Sequence, residues 1–147
     1  MLRDHSFGVV FHTFLHPGDV VEADLIAQRT TRLKFLRRKL LEDHANGDKI
    51  FVIKRNDSLT QAEVLPMLTA LCRYARQARL LSVVPAGAEH PPGTVINTAD
   101  GLLRGHIDRF APGENAHDLS FDGWVELCRN ARALLDAAAA VRPRSAA

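Results

Sequence analysis

Lys49-Ile50-Phe51-Val52-Ile53-Lys54-Arg55 and, beyond a segment of helical spacing, Arg79-Leu80-Leu81-Ser82-Val83-Val84 decide how this chain folds. Each is a short apolar run bounded by turn formers, Asn56-Asp57-Ser58 after the first and Pro85-Ala86-Gly87 after the second, as in strands covered on both faces. Between them Thr60 and Glu63 have capping-box spacing, and Val64, Leu68, Leu71, Cys72 and Ala75 recur at helical intervals. Pro66 removes one backbone bond from that helix and predicts a kink or a later start. A strand, a helix and a strand at crossover length predict two parallel neighbours.

Working outward, Phe7 to Phe14 is β-branched and aromatic and stops at Leu15-His16-Pro17-Gly18, which predicts a further strand. After Asp24 the residues Ile26, Leu33, Leu36 and Leu40 fall at helical spacing up to Asn46-Gly47, a C-terminal stop. The three strands at Phe7, Lys49 and Arg79 are therefore expected side by side and parallel. Towards the C-terminus, Thr94 to Asn97 and Leu102 to Phe110 flank Ala99-Asp100-Gly101 and predict a hairpin or two edge strands. A last helix from Ser120 to Asp122 onward carries Trp124, Leu127, Cys128, Ala131, Leu134 and Leu135 on one face. The expected fold is α/β and three-layered, with a short, mostly parallel, Rossmann-like sheet: β-α-β-α-β, then the hairpin or edge strands and a C-terminal helix. It forms one domain over residues 1–141, followed by a disordered tail over 142–147.

The bulk properties agree. The chain of 147 residues has the length of one domain, and 46% hydrophobic and 24% charged residues are the balance of a folded protein. A net charge of +2 is too small to mark a nucleic-acid footprint. The long helix carries Arg29, Arg32, Lys34, Arg37, Arg38 and Lys39, but at 100° per residue these spread around most of the circumference, so no tight DNA or RNA binding is expected. Two cysteines without a CxxC pair, no signal-peptide stretch at the N-terminus and no apolar run of membrane-spanning length point to a cytoplasmic protein that is not embedded. The seven histidines include no HExxH, and GxGxxG, Walker and GxSxG motifs are lacking, so neither a metal nor a nucleotide cofactor is expected.

In open parallel sheets ligands sit at the carboxyl ends of the strands. His12 to His16, Arg55-Asn56-Asp57 and Ala86 to Pro92 would meet there, which makes His16, Arg55, Asn56, Asp57 and His90 the candidate binding rim, suited to an anion or to proton transfer. The plainer alternative is that Arg55 and Asp57 pair with each other while Asn56 turns the chain. His12 alternates with Val10 and Phe14, so it is either a hydrogen-bonded core histidine or a general base.

The segments Phe7–Phe14, Arg32–Leu41, Lys49–Ile53 and Leu102–Phe110 together resemble the carboxyl-terminal half of an uncharacterised bacterial family related to papain-like cysteine peptidases of unknown function. The resemblance implies that His12 matches the family's histidine, and that the nucleophile belongs to an Asn-Cys motif in an upstream domain or partner, a motif this sequence does not contain. Cys72 and Cys128, both expected on apolar helical faces, do not replace it. The expectation is a bacterial α/β domain of unknown biochemical role, not catalytic alone and without thiol-dependent hydrolase activity. The alternatives are a small transferase or hydrolase acting on an anionic or glycan substrate at the strand ends, and an interaction module that uses the basic helix.

Overall fold

Helical spacing, strand alternation and turn chemistry produce a mixed α/β structure, seen in a computed structural model that describes residues 2–5, 8–11, 16, 18–111, 115 and 118–141. The elements are β1 (Leu2–Asp4), β2 (Val9–Phe11), α1 (Glu22–Asn46), β3 (Ile50–Lys54), α2 (Gln61–Cys72), β4 (Arg79–Pro85), β5 (Val95–Ala99), β6 (Leu102–Ile107) and α3 (Phe121–Val141). One domain is expected over 1–141; the chain is organised in two compact units, Met1–Leu41 and Glu42–Ala147. The tail expected at 142–147 lies outside the described residues, and no helix among those described is long and apolar enough to cross a membrane.

In the first unit the strand expected at Phe7 to Phe14 takes a different partner. Its described part, β2, pairs antiparallel with β1, Leu2 opposite Phe11 and Asp4 opposite Val9, in a two-stranded sheet of its own. The expected parallel trio is corrected accordingly. The physical reason is proximity: a short link containing Gly8 at φ 65° closes β1 onto β2, whereas reaching β3 means closing a loop across the whole of α1. Helix α1 begins with Glu22 and Asp24 in its first turn, where the helix dipole favours carboxylates, and Gly47 at φ 68° ends it. Its apolar residues Ile26, Leu33, Leu36 and Leu40 are all close to half exposed.

The second unit is built on a four-stranded sheet of order β3-β4-β6-β5. β3 runs parallel to β4, with Ile50 opposite Arg79, and β4 parallel to β6, with Leu80 opposite Leu102. β5 is antiparallel to β6, because only Asp100-Gly101 separate their ends and a parallel return needs a dozen residues or more. Period-two alternation then divides the side chains. Leu80 and Leu102 join Leu59, Val64, Leu68 and Ala78 in one buried cluster under α2. Leu81, Val83, Leu103 and Ile107 join Leu127 and Ala131 of α3 in another.

The helix ends follow their sequence signals. Thr60 caps α2: its hydroxyl accepts from the Glu63 backbone N–H, and the Glu63 carboxylate accepts from the Thr60 backbone N–H at 2.9 Å. The helix starts at Gln61 and continues through Pro66. In α3, Leu127 and Ala131 are fully buried while Trp124 and Leu134 are only partly so. Cys128, expected on the apolar face, is exposed, because it stands 100° around the helix from Leu127. Cys72 packs partly buried against the α2 cluster. The aromatic ring of Phe51 stacks on His44, centroids 4.0 Å apart, and seals the α2 side at β3.

Candidate functional site

Parallel pairing of β3, β4 and β6 brings their carboxyl ends to one edge, so the segments after Lys54, Pro85 and Ile107 are neighbours. The β3 end is occupied by its own network. Arg55 Nε donates to Asp57 Oδ1, its Nη1 lies 3.0 Å from Glu63 Oε1, and Lys54 Nζ donates to Asn56 Oδ1 at 2.8 Å. The Ser58 backbone N–H donates to the Arg55 carbonyl and closes the turn. Glu63 lies below the usual carboxylate range, first because of the Thr60 backbone and hydroxyl and then because of Arg55. These groups stitch β3 to the start of α2 and leave Arg55 and Asp57 engaged with each other, the plainer of the two arrangements the sequence allows. His16 belongs to the first unit, where its backbone N–H donates to Asp19 Oδ2 at 2.7 Å, and His12 lies outside the described residues.

The β6 end is fastened to α3. The Asp108 carboxylate accepts from Ser120, the largest cause of its lowered pKa, while Arg109 lies 3.1 Å from Asp118. The Trp124 backbone N–H donates to the Ser120 carbonyl in the first turn of the helix. Both arrangements read as structural pins.

His90 has a different setting. The segment from Ala86 to Thr94 folds back over β6: the backbone N–H of Ala86 donates to Ile107, that of Gly93 to His106, and that of His106 to Thr94, at 2.7 to 2.9 Å. Asn130 of α3 holds the same segment by donating to the Gly93 carbonyl at 2.8 Å. The loop so fixed sets the His90 ring 4.5 Å from that of His106, tilted by 40°. His106 is 6% exposed, and its Nε2 has no hydrogen-bond partner among the described residues.

Two further groups share the His106 face of the sheet. Leu102, Arg104 and His106 alternate with Leu103, Gly105 and Ile107, so Arg104 and His106 lie on the α2 side. Ser82 is the register partner of Arg104 on β4 and sits between Leu81 and Val83, which point to the α3 side. Ser82 is 2% exposed, and among the described residues neither its hydroxyl nor the buried Arg104 Nε has a hydrogen-bond partner. Arg104 forms no salt bridge among the described residues. A buried polar atom left without a partner costs about 1 to 3 kcal/mol, and here three of them occupy adjacent positions on two strands.

Electrostatics define what the site holds. Burial is the first cause that pushes the His106 pKa down, and the charges of His90 and Arg104 push the same way; the Pro85 carbonyl and the Glu89 carboxylate oppose them without prevailing. His106 is thus neutral in the folded protein near pH 7. With the ring donating to the Pro85 carbonyl and Nε2 bare, the N–H is assigned to Nδ1 and the lone pair to Nε2. The site pairs a fixed cation with a neutral acceptor.

A stability effect follows, with a definite sign. The unfolded chain protonates His106 more readily than the native protein does, so the neutral ring's contribution is complete above the ordinary histidine value of about 6.5 and is lost progressively as pH falls from there through the lower folded value. Melting temperature is expected to drop on acidification from pH 8 to 5. His106→Asn, whose amide can still donate to the Pro85 carbonyl, should have a shallower drop, read as the difference between the two melting curves. Identical slopes would exclude His106 as the titrating group.

The sequence alone singles out His90 but not its partners. The missed signal is in the alternation of Leu102 to Ile107, which sets an arginine and a histidine on one face of a strand that is otherwise buried. Among the described residues no group of three His, Cys, Asp or Glu side chains could hold a metal ion. Comparison with protein-family models, with curated proteins and with solved structures finds no match to this chain.

Proposed function

We propose that this chain is a small-ligand-binding α/β domain that takes an anion on the α2-side face of β4 and β6, with Arg104 as the charge partner, Ser82 and His106 beside it and His90 towards the carboxyl edge of the sheet. The observation that carries the reading is the set of three unpartnered polar atoms, Ser82 Oγ, Arg104 Nε and His106 Nε2, on one face of β4 and β6. An arginine in a partly desolvated position without a carboxylate is a ready partner for an anionic oxygen, since a charge-assisted hydrogen bond is about twice as strong as a neutral one. A three-layer, mostly parallel arrangement goes with this reading, supported by the α2 cluster on one face of the sheet and the α3 cluster on the other. So does a bacterial cytoplasmic setting, which two free cysteines suit.

Thermal denaturation in the presence of inorganic phosphate, carboxylates and sugar phosphates tests the proposal. A ligand that binds only the native state adds about 2.7 kcal/mol of stability at a hundred times its Kd. At least one anion should raise the melting temperature of the wild type and leave that of Arg104→Met unmoved. Arg55→Met, which removes a cation already paired with Asp57 and Glu63, should keep the full shift. If no anion stabilises the protein, or if Arg55→Met abolishes the shift and Arg104→Met does not, the assignment is wrong.

A further inference from the structure

We infer that the ligand of this site is a hydroxylated monoanion, a hydroxycarboxylate or sugar acid, because Arg104 Nε asks for an anionic oxygen while His106 Nε2, beside it on the same strand face, asks for a hydrogen-bond donor. The inference rests on the anion-binding reading and narrows it.

The donor and acceptor inventory carries the argument. Arginine donates only and keeps its charge at every relevant pH. The neutral His106 ring has its N–H turned to the Pro85 carbonyl, so Nε2 can only accept. An anionic oxygen facing Nε2 would set lone pair against lone pair, whereas a ligand hydroxyl fills it. Ser82 Oγ, across the ladder from Arg104, donates or accepts and accommodates either neighbour.

Spacing sets the ligand's size. Residues i and i+2 of a strand are about 6.5 Å apart and adjacent strands about 4.8 Å apart, so a carboxylate on Arg104 and a hydroxyl on His106 belong to one small molecule with the two groups a few bonds apart. Charge selects the ionisation state. The site has one fixed cation, Arg104, and the Glu89 carboxylate lies close enough to act on His106, so a single negative charge is matched and a second is repelled. Arg104 and His90 are both partly exposed.

Matched ligand pairs test this at pH 8, where His106 is neutral: glycolate against acetate, and gluconate against hexanoate, with inorganic phosphate as the dianion, each titrated by calorimetry and by thermal shift. The hydroxylated member of each pair should bind at least about tenfold more tightly, the effect of one satisfied buried acceptor. His106→Phe should erase the preference, so that the two members of each pair bind equally. If that variant does not fold, the wild-type pairs decide alone. Equal binding within each pair, or phosphate binding above all the carboxylates, overturns the inference while the anion site stands. Failure of every anion, with Arg104→Met indistinguishable from wild type, overturns both.

Discussion

Leu127→Ala is expected to cost about 2 to 5 kcal/mol, the range for truncating a leucine in a packed core. Leu127 is fully buried, and its side chain lies against β6 where Gly105 gives it room: a Cβ built on Gly105 would come within 2.9 Å of Leu127 Cδ1 and 3.0 Å of Cδ2. Gly105→Ala alone is therefore expected to destabilise as well, by about 1 to 3 kcal/mol of overpacking. The decisive observation is the double variant. With Leu127 shortened, the added methyl enters the space that the leucine leaves, so the two costs should fall short of adding by about 1 kcal/mol or more in a urea-denaturation cycle. Strict additivity would mean that α3 does not press on β6 at this point. Trp124→Ala, at a half-buried position in the same helix, should cost less than Leu127→Ala.

The second large effect is expected at the hairpin. Gly101 has φ 77°, in the left-handed region, and a Cβ there would lie 2.9 Å from the Ala78 carbonyl oxygen, which belongs to backbone and cannot swing aside. Gly101→Ala combines about 1 to 2 kcal/mol for the left-handed conformation with a steric term of about 1 to 3 kcal/mol. The Leu80 backbone N–H donates to the Gly101 carbonyl at 2.9 Å, so the damage should reach β4 as well as the turn. Chemical denaturation would show it as a fall in midpoint, together with faster amide exchange at Leu80. An unchanged midpoint would remove Gly101 from the list of conformationally required glycines.

Local signals account for most of what can be read in the sequence. The runs that become β3 and β4, the Thr60–Glu63 capping box, the stop at Gly47 and the hairpin at Asp100-Gly101 all depend on residues a few positions apart, where propensity and turn chemistry decide. What depends on a remote partner is harder. The strand around Val9 is legible as a strand, but its neighbour is the three-residue β1, too short to announce itself. Cys128 differs from Leu127 only in helical phase, and the edge of an apolar arc is where phase is least determined. At the candidate site, His90 follows from its place after a parallel strand. Ser82, Arg104 and His106 are visible as alternation along their own strands, yet their meeting depends on β6 lying beside β4, which no local signal states.

The order in which these strands are made has a consequence for synthesis. No pairing in the four-stranded sheet joins residues more than about 30 positions apart, from Ile50 with Arg79 and Leu80 with Leu102 down to Ala99 with Leu102, so closing the sheet costs little chain entropy and refolding from denaturant should be rapid. On the ribosome the case differs. β4 acquires β3 at once but waits for β6 to be translated before its second edge is covered, and for α3 before Leu81 and Val83 are sealed. At about 5 to 20 residues per second that interval lasts on the order of seconds, and during it an apolar strand stands open at a sheet edge, the period in which a nascent chain depends most on chaperones.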